Sequence, residues 1–280
     1  MYKYFSFLVT LIITIGYLTP SVNAQYYFKD ILNTKKLNQE FSELKKAKVK
    51  FIKLNSFEDN DAPSEGFLAE KKFNKDYSQS EMISRSYITE ETLIKTDYDN
   101  EGRIIKTTTT TPTITNTTGY TYDNSGNLIE VSTSTFDDGD SSKMSELHKY
   151  TYQGGIPEKM TVSRNKSILF TINFVKDEHG NIIEENDGGK ADEKKYYYYY
   201  DTRNRLTDIV RYNRTAGRLL PDYMFEYDAG LLPIKMTTIA EGGRNYFIWR
   251  YAYTANHLPE IEKCYSKEKR LLGTIQYEYK

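Results

Sequence analysis

From about residue 93 onward, apolar and polar positions alternate with a period of two, interrupted at regular intervals by turn residues. "GYTYDNSGNLIEV" (Gly119–Val131) shows the unit: Tyr-x-Tyr-Asp-x-x-Gly-x-Leu. With its second tyrosine as anchor, the unit recurs at Tyr98, Tyr122, Tyr152, Lys176, Tyr200, Tyr227, Tyr253 and Tyr279. An aromatic residue stands two positions before each anchor except at Thr96: Tyr120, Tyr150, Phe174, Tyr198, Phe225, Tyr251 and Tyr277. Positions i−2 and i share a strand face, so these rings line one side of a sheet. The positions between them are mostly polar or small (Asp97, Thr121, Thr151, Glu226, Ala252, Glu278), which predicts an antiparallel meander with one buried face.

The turns carry matching chemistry. Asp comes early and Gly late in "DNEG" (99–102), "DNSG" (123–126) and "DEHG" (177–180). Asp can bond nearby backbone amides, and Gly102, Gly126 and Gly180 tolerate a positive φ. Asn204 and Asn256 are expected to replace that glycine. Pro157, Pro233 and Pro259 begin second strands, where a missing donor is tolerated. "FDDGDSSK" (136–143) and "ENDGGKADE" (185–193) read as longer loops, and "KTTTTTPTITNTT" (106–118) as a solvated strand pair about a proline turn.

The N-terminal part has other periods. Ile31, Leu32, Leu37, Phe41 and Leu44 lie at near-helical spacing on a charged surface, predicting an amphipathic helix over Lys29–Lys48 that covers part of the tyrosine face. Residues 49–54, 66–73 and 84–96 read as further strands, with 58–66 as a loop. Earlier still, Lys3, the apolar run Phe5–Leu18 and small residues up to Ala24 predict a cleaved secretory signal (residues 1–24) with Gln25 first in the mature chain. The expectation is one exported domain, 25–280, divided into a helix with degenerate strands (25–92) and the repeats (93–280). No later stretch is apolar enough to cross a membrane as a helix, which places the protein in the periplasm, at the cell surface or in the medium.

Composition adds three constraints. The chain has 26 tyrosines, a residue that suits half-buried strands. Lys plus Arg number 38 against 39 Asp plus Glu, which gives no argument for nucleic acid. The single cysteine, Cys264, allows no intrachain disulfide and reads as a half-buried strand residue.

Tyr-x-Tyr-Asp-x-x-Gly-x-Leu resembles the tyrosine–aspartate (YD) repeats of the Rhs family, most closely at "YTYDNSGNL", well at "TDYDNEGRI" and "YYYDTRNRL", and less at "FEYDAGLLP" and "YAYTANHLP". The resemblance runs from about Leu93 to the C-terminus. It implies a spiralling sheet of hairpins, which in large members closes into a shell around a toxic cargo. Seven or eight copies are few for a shell, and no toxin-like segment follows "YEYK". The chain is similar to short exported envelope proteins of Bacteroidetes-type bacteria. The expected fold is mainly β: an open twisted sheet or partial barrel of hairpins 24–30 residues long, with "TIQYEYK" (274–280) an exposed edge open to a partner.

Candidate chemistry is sparse. His148, His179 and His257 sit in different repeats without metal-ligand spacing, and Glu184–Glu185 reads as a solvated strand end. No catalytic constellation, cofactor or metal is expected, so the function expected is binding or scaffolding, with an envelope hydrolase as the lesser alternative. In "KKYYYYYDTRNRL" (194–206), Tyr196, Tyr198 and Tyr200 belong to the core face. Tyr197 and Tyr199 point to the face that is polar elsewhere, and Met224 and Arg250 occupy the equivalent place on later repeats. These four are the candidate site for a glycan or peptide, since a tyrosine ring covers an apolar sugar face and its hydroxyl adds a polar contact. An envelope protein captured at the edge strand is the other expected partner.

Overall fold

In the computed structural model, residues 27–139, 142–189, 195–213, 216–239 and 245–280 are described. The predicted signal segment lies outside them. Among the described residues one helix is followed by eighteen antiparallel strands: α1 (Lys29–Lys46), β1 (Phe51–Glu58), β2 (Leu68–Phe73), β3 (Gln79–Ser86), β4 (Thr89–Tyr98), β5 (Ile104–Thr110), β6 (Ile114–Tyr122), β7 (Leu128–Asp137) and β8 (Ser142–Gln153). The second half is β9 (Ile156–Arg164), β10 (Ser167–Lys176), β11 (Ile182–Asn186), β12 (Tyr196–Tyr200), β13 (Leu206–Asn213), β14 (Arg218–Tyr227), β15 (Pro233–Ile239), β16 (Tyr246–Tyr253), β17 (Pro259–Ser266) and β18 (Leu271–Tyr279).

Each strand pairs with its sequence neighbour, and β18 pairs with β1 from Ile52↔Tyr279 to Glu58↔Gly273. The sheet is therefore a closed barrel, neither open nor partial, and residues 274–280 are not a free edge. The closure has a local cause. A register shift falls at the anchor of seven repeats: Tyr98, Tyr122, Tyr152, Lys176, Tyr200, Tyr227 and Tyr253. At the first, Asp97 pairs with Lys106 but Tyr98 with Ile104, leaving Ile105 as an extra residue. Each such bulge bends its strand and increases twist. Repeated around the meander, the bends bring the last strand back to the first.

The anchor hydroxyls explain why the repeat demands tyrosine. Tyr122 donates to the Ile104 carbonyl, Tyr152 to Leu128, Tyr200 to Ile182, Tyr227 to Leu206 and Tyr253 to Pro233, at 2.7–2.9 Å. Tyr279 bonds Pro259 in the same way. Each anchor thus ties its strand to the start of a strand in the preceding repeat. Tyr98 departs, sharing a hydrogen bond with the Ser80 hydroxyl. In the turns, the carboxylates of Asp99, Asp123, Asp177 and Asp201 accept backbone N–H bonds from two and four residues on. Gly102, Gly126 and Gly180 have φ near +80° and Asn204 +58°. In the later turn the left-handed residue is His257 (φ +61°), not Asn256, because His257 stands four residues after its anchor Tyr253, as Gly102, Gly126, Gly180 and Asn204 do after theirs.

Other boundaries also shift. The helix ends at Lys46, and residues 84–96 form parts of two strands joined near Tyr87–Ile88. Phe136, Asp137, Ser142 and Lys143 are strand residues rather than loop. Cys264 is fully buried, not half-buried.

Helix α1 lies inside the barrel. Phe41 stacks on Tyr98 of β4 at 3.8 Å, Asn38 reaches the Ile104 amide of β5, and Phe28, just before the helix, meets Phe174 of β10 and Tyr198 of β12. Contacts so widely spread around a closed ring require the helix to be within it. The tyrosine face is therefore the inner face, and the alternating polar positions point outward. Phe41 and Leu44 seal one cluster with Ile52, Trp249 and Ile275, while Phe28 joins a second with Tyr150, Phe174 and Tyr198.

Candidate functional site

On the outer face, Tyr199 is half exposed and Tyr197 is partly covered, although the helix does not touch that side. The register carries Tyr199 into one cross-strand row: Tyr199↔Asp208↔Met224↔Thr237↔Ile248↔Tyr265. Tyr199 and Met224 therefore share a row, with Tyr197 one step along β12, paired with Val210. Arg250 belongs to the adjacent row, Glu226↔Lys235↔Arg250↔Lys263, but its guanidinium lies 5.9 Å from the Tyr265 ring. The four sequence-predicted residues converge on one outer surface over β12–β17. Rings and thioether supply apolar area, and Asp208, Thr237 and Arg250 supply hydrogen-bonding groups between them.

A cavity of about 440 Å³ lies elsewhere on the outer face, where Lys106, Gly119, Ser132, Leu147 and Ser163 align across β5–β9. None of the predicted ligand residues lines it.

The inner face holds a polar assembly that sequence reasoning missed. Glu185, expected to be solvated, is 2% exposed. Its carboxyl accepts the Tyr27 and Phe28 amides at 2.8 Å and the Tyr198 hydroxyl at 2.8 Å. No side chain within the helix caps its start, so a residue 157 positions away performs that role for donors that helix geometry leaves unpaired. Burial pushes Glu185 up to about 7, with Asp30 adding to it against the bonds it accepts.

Beside it, His148 bridges two carboxylates: Nδ1 to Asp30 at 2.6 Å and Nε2 to Glu146 at 3.1 Å. Arg164 pairs with Glu146 at 2.8 Å, and the Tyr150 hydroxyl donates to Asp30 at 2.8 Å. Burial opposes a charged imidazole here, but the two carboxylates outweigh it and hold His148 at about 9. The bond from His148, with help from Arg164 and against burial, takes Glu146 down to about 2. A histidine between two acids resembles a catalytic relay, yet Asp30 and the Tyr27 and Phe28 amides use these partners to dock the helix, while Glu146 ties His148 to Arg164 within the wall. Nothing in the sequence placed Asp30, His148 and Glu185 together, because the fold alone makes them neighbours. His179 and His257 lie on turns. Among the described residues no group of three or more His, Cys, Asp or Glu could hold a metal ion, and no helix is long and apolar enough to cross a membrane.

No family model and no curated protein matches this chain. Among solved structures it is similar to a porin-like protein from Bacteroides uniformis (10% identity, TM-score 0.39, covering 83% of this chain and 96% of that one). It is also similar to a porin-like protein from Bacteroides vulgatus (13% identity, TM-score 0.31, covering 71% and 97%). Both likenesses are weak, and nothing about function follows from them.

Proposed function

We propose that this chain is an exported, non-catalytic β-barrel of the cell envelope that binds a glycan or peptide on the outer surface of β12–β17. The observation that carries this reading is the single register row holding Tyr199, Met224, Ile248 and Tyr265, with Tyr199 and Met224 43–50% exposed. An extended ligand laid along that row would stack on rings and exchange hydrogen bonds with Asp208 and Thr237. A partner strand added at residues 274–280 is no part of the proposal, since β1 already occupies that edge.

Outward charges argue against a lipid-facing wall. Lys95, Lys149, Arg250 and Lys263 are exposed at mid-strand, alternating with inward residues. An outward Lys or Arg costs about 2–4 kcal/mol at a bilayer midplane.

A glycan and peptide array probed with the chain from residue 25, alongside Tyr197→Ala/Tyr199→Ala, tests the proposal. Specific binding that the double variant loses while keeping its circular dichroism is the expected result. No binding by the folded parent, or equal binding by the variant, would overturn it.

A further inference from the structure

A barrel of 16–18 strands is too wide for side chains alone to fill. Here the filling is one helix, roughly 10–12 Å across with its side chains. It does not occupy the whole interior: Lys35, Lys36 and Gln39 remain exposed although strands surround the helix. Across from them, Glu262 of β17 lies within electrostatic reach of Lys36 and Glu40 and accepts the Tyr277 hydroxyl at 2.6 Å. The interior is thus a lumen partly plugged by α1, and the two ends of the plug are held differently.

At its C-terminal end the contacts are apolar and covalent. Phe41 stacks on Tyr98, Leu44 is buried, and Ala47–Lys50 leads directly into β1. At its N-terminal end an apolar patch, in which Phe28, Ile31 and Leu32 pack against Phe174 and Tyr198, is joined by a dense set of ionisable groups. From the helix and the two residues before it come Tyr27, Lys29 and Asp30; from β8, Glu146, His148 and Tyr150; from β9, Arg164; from β11, Glu185; from β12, Tyr196 and Tyr198. From β10 only apolar and aromatic side chains meet this end, Phe170 against Tyr27 and Phe174 against Phe28.

We propose that the N-terminal half of α1 is a pH-operated latch whose release, as pH rises, frees that half of the helix from the β8–β12 wall and widens the lumen. The protonation states set the direction. Glu185 has a folded value of about 7, raised from 4.5, so its contribution to docking is complete below 4.5 and is lost as pH rises through 7. His148, raised from 6.5 to about 9, contributes fully below 6.5 and nothing well above 9. Glu146, lowered from 4.5 to about 2 by His148 and Arg164 of the wall, stays ionised across this range and acts only by keeping His148 charged. The latch is tightest near pH 5.

Hydrogen exchange of the intact protein at pH 5.5 and 8.5, corrected for intrinsic rates, is the test. The amides of residues 29–37 should lose protection at least tenfold at the higher pH, while those of β10 and β12 keep theirs. Glu185→Gln, neutral at every pH, should remove the loss between pH 5 and 7. His148→Gln should flatten the change between 7 and 9, with Asp30→Asn serving if that variant fails to fold. Equal protection of 29–37 at both pH values would overturn the latch. So would simultaneous loss across helix and strands, which is global unfolding. Neither outcome depends on ligand binding at the outer row.

Discussion

Strands β10–β12 and strands β14–β15 are built from the same repeat, with the same bulge at the anchor, yet their inner faces differ. On β10–β12, Ile172, Phe174, Ile182, Glu185, Tyr196 and Tyr198 are all buried. On β14 and β15 no residue is, although Tyr223, Phe225 and Met236 occupy the equivalent positions. The difference is α1, whose N-terminal end is buried against β10–β12, while Tyr223 and Phe225 of β14 only flank that cluster. The repeat thus makes a wall with an aromatic inner surface, and only the helix turns part of that wall into a core. Residues with the same place in the motif should therefore differ in energetic weight.

Four tests, made with five substitutions, sharpen or break that comparison, each measured by denaturant unfolding. Tyr198→Ala, under the helix, should cost about 3–5 kcal/mol, the range for a large aromatic removed from a packed site. Glu185→Ala strips an acceptor from two amides and a hydroxyl and should cost about 2–4 kcal/mol, on the basis of about 1–3 kcal/mol per buried unpaired group. Phe225→Ala, on the uncovered wall, should cost less than half the Tyr198 value, since half-buried rings forfeit less area. Equal costs at 198 and 225 would show that the repeat itself packs the interior. Tyr200→Phe and Tyr227→Phe should each cost about 1 kcal/mol, because the same hydroxyl-to-carbonyl bond is lost on both walls. A large gap between those two would show that the helix also decides the worth of the anchors.

Stability against pH gives a fifth reading. Glu185 and His148 both have raised values, so their stabilising contributions fade as pH climbs from 5 to 9. Thermal midpoints should fall over that window, and Glu185→Gln should shrink the fall below pH 7. A flat profile in the parent would remove both groups from the stability argument.

Much of the wall was legible in the sequence. The anchors, the aromatic residues two before them and the Asp-led turns occupy inward, inward and turn positions. Tyr197 and Tyr199 were separable from Tyr196, Tyr198 and Tyr200 by parity alone. The openness of the sheet was misread because alternation treats every strand as straight. The extra residue at each bulge, such as Ile105, was present in the spacing but not counted. The αL position at His257 follows from the same spacing of four residues after the anchor, although Asn is the better-known αL residue. The ionisable latch was out of reach, since Asp30 and His148 are 118 positions apart and only closure brings their strands and helix together.

The β1–β18 pairing has a consequence for how the molecule is made. It joins the first strand to the last, and Asn55 bonds Glu278 across 223 positions of sequence. Hairpins can form one after another as the chain emerges, but this final seam closes only when both ends are present. Contacts of such separation are slow to form. Since α1 precedes every strand, the ring must grow around a helix already made. Assembly is then a wrapping process, with the helix as mandrel and the last strand as the fastening.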